Sequence, residues 1–204
     1  THTVGEPLDR PTPPVEIVDW HSDLAAVIAR LNSVVVKPIS EGSSVGMAVA
    51  SDAESLRMAL IHAQKSGVPV MAEQVVRGDE YTVAILRGRS LPPIKITPES
   101  AFYDYQAKYV SGTTRFECPA PLSVDETQAL QALAYAAFVA SGAEVWGRVD
   151  MIRGADGWQL LEVNTVPGMT EHSLVPKAAE AAELRFIDLL DEIYLGSREL
   201  RCAA

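Results

Sequence analysis

The chain has 204 residues, of which 48% are hydrophobic and 22% are charged, the composition of an ordinary globular protein. Its formal net charge of −10 argues against a broad surface for nucleic acid or for anionic membranes, because phosphate groups require clustered lysine and arginine. The two cysteines, Cys118 and Cys202, give neither a metal-binding spacing nor a disulfide framework. No signal peptide opens the chain and no apolar run approaches the roughly 20 residues that span a bilayer, which favours a cytoplasmic protein.

The order of predicted elements indicates an α+β protein with mixed or antiparallel sheets and flanking helices, in two lobes. Pro11–Pro14 is typical of a boundary, so we predict a linker over residues 1–14, a first lobe over 15–90 and a second over 91–204. In the first lobe the spacing of apolar residues predicts a helix over 19–31 capped by Asp19 or Ser22, strands over 34–36, 47–50, 68–76 and 80–86, and a helix over 52–65 capped by Ser51.

The second lobe begins with a strand over 91–97 and an ordered loop over 102–114 that contains three tyrosines. Ser123, with Glu126 three residues later, predicts the start of a long helix through a capping box. Helices are also expected over 174–182 and 186–195.

Two short strands, Trp146–Asp150 and Leu160–Asn164, carry the most informative pattern. The Asp156–Gly157 pair between them predicts a turn that folds the strands into an antiparallel hairpin. Alternate side chains share a face, so we expect four polar side chains to converge on one patch: Arg148, Asp150, Glu162 and Asn164. We expect the opposite face to be apolar, formed by Val149, Met151, Leu161 and Val163. The alternative is that the charged residues are simply the solvated face of the hairpin.

Oxygen ligands of this kind suit Mg²⁺, which is usually held by one or two carboxylates together with substrate phosphates. The patch therefore predicts a metal–nucleotide site. Lys37, at the end of a buried strand, faces a small-residue loop whose Ser43 and Ser44 could close over a phosphate. A flexible turn explains the same loop equally well.

Other candidates are weaker on their own. The backbone from Glu73 to Val76 could bind an adenine edge, and Glu80 could bind ribose hydroxyls, although acidic residues beside a turn are normally just solvated. Lys108 and Tyr109 lie in the tyrosine-containing loop, which could equally be a packed Ω-loop. Ser173, at the start of a helix, could bind a carboxylate.

Together these segments resemble the D-alanine–D-alanine ligases of the ATP-grasp superfamily. The resemblance runs in family order from about residue 11 to 195 and is carried by Pro11–Pro14, Val36–Pro38, Glu41–Met47, Phe102–Tyr109, Cys118–Ala120, Trp146–Asp150, Leu161–Thr170 and Ser173–Pro176. It implies an ATP-grasp fold and an enzyme that joins two D-alanines through an acyl phosphate, for peptidoglycan synthesis and hence cell-wall biogenesis and cell shape.

The resemblance also implies roles for individual residues. Asp150, Glu162 and Asn164 would hold two Mg²⁺ ions, with Mn²⁺ as a substitute. The nucleotide would be bound by Lys37, Ser43, Ser44, Glu73, Val76, Glu80 and Lys108. The catalytic set would be Arg148, Ser43, Tyr109 and Gly168, with Arg148 and the Gly168 backbone stabilising an oxyanion. Ser173 and Leu174 would bind the carboxylate of the second D-alanine.

Family members are longer at the N-terminus, where a further lobe contributes to the D-alanine site and to a homodimer interface. We therefore expect this chain to be a fragment without that lobe, and ligation to require it. Three alternatives stay open: an ATP-grasp ligase of other substrates, a nucleotide-binding module without full catalysis, and a purely structural interaction domain. The last of these leaves the converging polar residues unexplained.

Overall fold

The computed structural model describes residues 11–39, 47–64, 67–98 and 114–203. They divide into two compact units, one formed mainly by residues 13–76, with Pro98 and Thr114, and the other by residues 11–12, 77–97 and 115–203. Each unit pairs antiparallel strands with helices, so the predicted α+β class is confirmed. Among the described residues, no helix combines the length and the apolar character needed to cross a membrane.

The unit within residues 13–76 is a four-stranded sheet covered on one face by two helices. Its elements are β1 (Val15–Val18), α1 (Leu24–Leu31), β2 (Val34–Pro38), β3 (Ala48–Ala50), α2 (Ala53–Ala63) and β4 (Val70–Gln74). The strands lie in the order β1-β4-β2-β3, and each neighbouring pair is antiparallel. Side chains from alternate positions of the strands, such as Val34, Val36 and Ala72, pack with Leu56 and Leu60 of the helices to form the core.

The helix caps of this unit differ from the sequence prediction. Asp23, not Asp19 or Ser22, caps α1, because its carboxylate accepts a hydrogen bond of 3.1 Å from the Ala26 N–H. Ser22 instead donates to Asp19, which fixes the turn before the helix. The cap of α2 is Asp52 rather than the predicted Ser51, since Asp52 and Ser55 form a capping box.

The other unit is a six-stranded sheet with helices on both faces. Its elements are β5 (Asp79–Leu86), β6 (Arg89–Ser90), β7 (Ile94–Thr97), β8 (Arg115–Glu117), α3 (Val124–Ala140), β9 (Trp146–Gly154), β10 (Gly157–Asn164), α4 (Leu174–Ala181) and α5 (Phe186–Ala203). The strands lie in the order β10-β9-β5-β7-β8, with β6 paired to β5. The capping box predicted for α3 is confirmed: Glu126 and Ser123 bond reciprocally.

Alternate residues of β5 separate the two faces of this sheet. Val83 and Ile85 pack against α3. Ala84 and Leu86 point the other way and pack with α4 and α5. The Thr82 side chain lies on the same face of the sheet as Ala84 and Leu86.

The position of β5 also sets the division between the units. The lobe boundary predicted between residues 90 and 91 stays a prediction; by compactness, β5 groups with the residues that follow Val76. β5 pairs with β9 from Asp79 to Leu86, so hydrogen bonding ties this strand to the later part of the chain. Pairing across about 65 residues of sequence is a tertiary contact, which local patterns do not reveal.

Candidate functional site

The predicted hairpin is confirmed as β9 and β10, joined by a two-residue turn at Ala155 and Asp156. Asp150 lies directly opposite Glu162, and Arg148 lies directly opposite Asn164. Opposed residues of antiparallel strands point to the same face. The four polar side chains therefore converge as the sequence predicted, and we call this set the hairpin patch.

A bulge in β10 makes that convergence compatible with a packed core. Leu160 pairs with Met151, but Glu162 pairs with Asp150, so Leu161 is an extra residue in the ladder. Without it, Leu160 and Glu162 would share a face. With it, Leu160 is only 1% exposed and packs with Met151, while Glu162 faces the patch. Leu161, which was expected on the apolar face with Met151, is only half-buried, and Leu160 packs in that core instead.

Hydrogen bonds hold the hairpin patch together. Arg148 donates to both carboxylate oxygens of Asp150, at 2.8 and 2.7 Å. The amide nitrogen of Asn164 lies 3.0 Å from Asp150 and 3.3 Å from Glu162. Bidentate contacts between arginine and a carboxylate are charge-assisted and directional. With side chains only 18% and 15% exposed, Arg148 and Asp150 form a largely desolvated ion pair rather than a solvated surface pair.

Gly147 lets the two strands of the patch approach closely. A Cβ atom at this position would lie 2.6 Å from the Phe138 ring and 2.8 Å from the Asn164 carbonyl oxygen. Those distances are shorter than any ordinary contact, so the absence of a side chain here keeps Asn164 in register with Arg148.

The segment from Gly168 to Leu174 brings two further predicted residues together. A Cβ atom at Gly168 would lie 3.1 Å from the Ser173 hydroxyl, which places these two residues side by side. The Ser173 hydroxyl accepts a bond of 3.0 Å from the Thr170 N–H and makes no side-chain cap for α4, which starts at Leu174. The first N–H groups of α4 therefore do not use Ser173 as a partner.

In the unit within residues 13–76, the structure pairs two of the predicted nucleotide residues. The Lys37 ammonium lies 3.0 Å from each carboxylate oxygen of Glu73. Lys37 and Glu73 come from β2 and β4, and the Glu73 side chain is only 5% exposed. An ion pair this buried is held in one arrangement, because an isolated buried carboxylate is costly.

The remaining predicted positions are spread along the chain. Val76 is half-buried and follows the end of β4. Glu80 lies on β5, opposite Ile152, on the same sheet face as Thr82 and hence as Asp150. Ser43, Ser44, Lys108 and Tyr109 lie outside the described residues, as do the predicted loops over 40–46 and most of 102–114.

The hairpin patch fits a hard divalent cation in its donor chemistry. Within the described residues, no group of three His, Cys, Asp or Glu side chains is arranged to hold a metal ion. The hairpin patch differs from such a group because it has only two carboxylates, and its third candidate ligand is the amide of Asn164. The Asn164 nitrogen reaches both carboxylates from one position, so Asp150 and Glu162 can approach a shared partner. Two carboxylates and an amide oxygen match the preference of Mg²⁺, once the Asn164 amide turns its oxygen instead of its nitrogen toward the carboxylates.

Sequence reasoning missed Thr82, which donates a 2.6 Å hydrogen bond to Asp150. A threonine inside an apolar strand carries no signal by itself, because its partner on the neighbouring strand is set by tertiary pairing. Burial raises the pKa of the Cys118 thiol, which disfavours the reactive thiolate.

Comparison with known proteins adds an independent line of evidence. The family model described as "D-ala D-ala ligase C-terminus" matches residues 16–194. D-alanine–D-alanine ligase from Alcanivorax borkumensis is 51% identical over 167 residues, which are 81% of this chain and 54% of that protein. The corresponding ligase from Idiomarina loihiensis is 50% identical over 161 residues, or 78% of this chain and 52% of that protein.

A solved structure gives the same picture in three dimensions. The D-alanine–D-alanine ligase of Bacillus anthracis in complex with ATP superposes with a TM-score of 0.84 at 30% identity, over 99% of this chain and 66% of that one. The chain thus spans about half the length of the curated relatives it matches.

Proposed function

Because the chain belongs to the family of D-alanine–D-alanine ligase C-terminal domains, we propose that its protein uses ATP to join two D-alanines into a dipeptide for peptidoglycan synthesis. The fold is the ATP-grasp fold of the ligases it matches. The observation that carries the proposal is the hairpin patch, in which an arginine, two carboxylates and an amide converge as phosphoryl transfer requires. ATP would phosphorylate the carboxylate of one D-alanine, and the amine of the other would attack the acyl phosphate.

We assign Asp150, Glu162 and Asn164 to divalent-cation binding. Bound Mg²⁺ would neutralise charge on the nucleotide phosphates during transfer. We further propose that two Mg²⁺ ions bind at these residues and that Mn²⁺ can replace Mg²⁺. The hydrogen bonds between Asn164 and both carboxylates support it, because they hold three oxygen-bearing groups together before any ligand arrives.

Arg148 is the cationic group of the patch. We propose that its guanidinium stabilises the oxyanion that forms when the second D-alanine attacks, together with the backbone of Gly168. Its bidentate bond with Asp150 orients the guanidinium before substrate binds. Ser173 and the Leu174 N–H would bind the carboxylate of the second D-alanine; that the Ser173 side chain does not cap α4 supports this role.

Lys37 is assigned to a nucleotide phosphate. A lysine ammonium has three donors, and Glu73 accepts two of them, which leaves one for a phosphate oxygen. Glu73 and Val76 would bind the adenine, and Glu80 the ribose. Ser43, Ser44, Lys108 and Tyr109 complete the set by family match alone.

We also propose the cellular compartment and the oligomeric state of the protein. Its substrates are ATP and D-alanine, so we expect the protein to work in the cytoplasm, where ATP is available. A homodimer is expected from the resemblance and can be tested by light scattering.

A second candidate function is nucleotide binding without ligation by these residues alone. The coverage of the relatives favours it, because the chain matches only 52% and 54% of their lengths. The two candidates differ in whether residues 1–204 suffice for turnover.

The deciding measurement is phosphate release from Mg²⁺-ATP by the chain, with and without D-alanine. D-alanine-dependent release with formation of dipeptide supports ligation by these residues. ATP binding without D-alanine-dependent release supports the second candidate. Arg148→Lys is the informative variant, because it keeps the charge but cannot make the bidentate bond to Asp150.

A further inference from the structure

Thr82 is a buried polar residue that none of the proposed roles uses. Among the described residues, only Glu73 and Thr82 are polar or charged and also buried, and Thr82 is 1% exposed. It lies at the centre of β5, directly opposite Asp150 of β9. Ala84, the next residue of β5 on the same face, belongs to an apolar core cluster. A hydroxyl in this place costs stability unless it is hydrogen-bonded.

The Thr82 hydroxyl has two acceptors nearby and one proton. Its oxygen lies 2.6 Å from an Asp150 carboxylate oxygen and 3.2 Å from the Val149 carbonyl oxygen. A hydroxyl donates one hydrogen bond at a time. The proton goes to Asp150, because a bond to a carboxylate is charge-assisted and this one has the short length of such bonds.

This bond fixes the carboxylate from a direction that the rest of the patch does not supply. Arg148 and Asn164 approach Asp150 from β9 and β10, the two strands of the hairpin. Thr82 approaches from β5, on the other side of β9. With partners on both flanking strands, the plane of the carboxylate is held before any cation binds.

We propose that Thr82 is a positioning residue for Asp150 and sets the affinity of the hairpin patch for a divalent cation. The inference rests on the proposed cation-binding role of Asp150. Some residues orient metal ligands through hydrogen bonds. Removing such a residue typically lowers metal affinity by about 10- to 100-fold. Thr82 touches no substrate in this role, because it acts through Asp150.

The competing explanation is that Thr82 only stabilises the fold, by satisfying one acceptor in the sheet. Two pairs of residues matched in shape separate the explanations: threonine against valine, and serine against alanine. In each pair the first member carries the hydroxyl and the second does not. The variants needed are Thr82→Val, Thr82→Ser and Thr82→Ala, and the second pair keeps the test valid if one of them fails to fold.

The experiment is a titration of the purified chain with Mn²⁺, followed by electron paramagnetic resonance, alone and with ADP. The unfolding temperature of each metal-free variant is measured in parallel. We expect the hydroxyl-free member of each pair to bind Mn²⁺ about tenfold more weakly than its partner. Ser90→Ala is the control, because it also removes a partly buried hydroxyl bonded to a backbone carbonyl, that of Gln131, but lies away from Asp150.

Three outcomes are distinguishable. Weaker Mn²⁺ binding without the hydroxyl, at unchanged affinity in Ser90→Ala, supports the positioning role. Equal Mn²⁺ binding within each pair, with only the unfolding temperature changed, overturns it and leaves the proposed function intact. Absence of Mn²⁺ binding in the unaltered chain overturns the cation-binding role of Asp150 and the inference with it.

Discussion

The two ends of one hairpin both carry charged residues, and the surroundings of these residues differ completely. At the end near Arg148, side chains from β9 and β10 converge, are mostly buried and bond to one another. At the turn end, Arg153 lies over the ring of Trp158 and pairs with Glu126, with side chains 45% and 33% exposed. Charged residues on one hairpin therefore do not share one environment; only those near Arg148 converge and are mostly buried.

The bulge explains how one strand serves both ends. The extra residue changes which residues of β10 face each side of the sheet. Leu160, in the half near the turn, can therefore face the core while Glu162, in the other half, faces the patch. The same comparison suggests substitutions that act on one end and leave the other unchanged.

The largest effect is expected for Leu160→Ala. Leu160 is 1% exposed and belongs to the core under α3, so its truncation should lower the free energy of unfolding by about 2–5 kcal/mol. Leu161→Ala, at the half-buried bulge position, should cost only about 1 kcal/mol. Urea unfolding of both variants measures the difference. Equal losses would contradict the observed register.

Gly147→Ala comes next. The new Cβ would contact the Asn164 carbonyl and the Phe138 ring below ordinary distances, so the strands must shift. We expect a loss of about 1–3 kcal/mol in urea unfolding. Gly168→Ala is the control, because its Cβ meets only the flexible Ser173 side chain. A neutral Gly147→Ala would show that the strands have room to separate.

Asp150→Asn tests the patch itself. It removes the charge that faces Arg148 and a proposed cation ligand, so Mn²⁺ affinity should fall by more than about tenfold. The matched variant is Asp79→Asn at the turn end, where the carboxylate pairs with Lys95 and is 57% exposed. This control should keep its Mn²⁺ affinity. Similar losses in both variants would mean that overall charge, rather than the patch, governs binding.

The smallest effect concerns Glu126 and pH. Hydrogen bonds from the Ser123 backbone and hydroxyl, and from Arg153, hold the pKa of this carboxyl below its usual value. The stabilisation is therefore present above the pKa of the unfolded chain and is lost as the pH falls through the lower pKa of the folded state. The unaltered chain should unfold at a higher temperature than Glu126→Gln at about pH 7, and the gap should narrow below about pH 4.5. A constant gap would contradict this assignment.

Local signals predicted the parts of the molecule that local chemistry determines. The hairpin turn, the capping box at Ser123 and the shared face of Arg148 and Asp150 each follow from residues close in sequence, and each is confirmed, although the turn residues are Ala155 and Asp156. The roles that the family resemblance gives to the site residues stay predictions.

The sequence did not predict two features of the site that depend on pairing between distant segments of the chain. The bulge at Leu161 depends on the partner strand, and the bond from Thr82 to Asp150 joins residues 68 positions apart. The cap at Asp23 was missed for another reason: several acidic and hydroxyl residues precede α1, and only the backbone conformation selects among them.

β10 is an outer strand of its sheet, and an outer strand can act as a template on which a second chain adds a strand. In this protein the bulge between Leu160 and Glu162 interrupts the regular row of backbone groups along that edge. The carbonyl of Pro11 also accepts the Leu160 N–H at 2.8 Å, so this donor is already occupied. The extra residue that turns Glu162 toward the patch is thus also a feature that makes an edge strand a poorer template for a second chain.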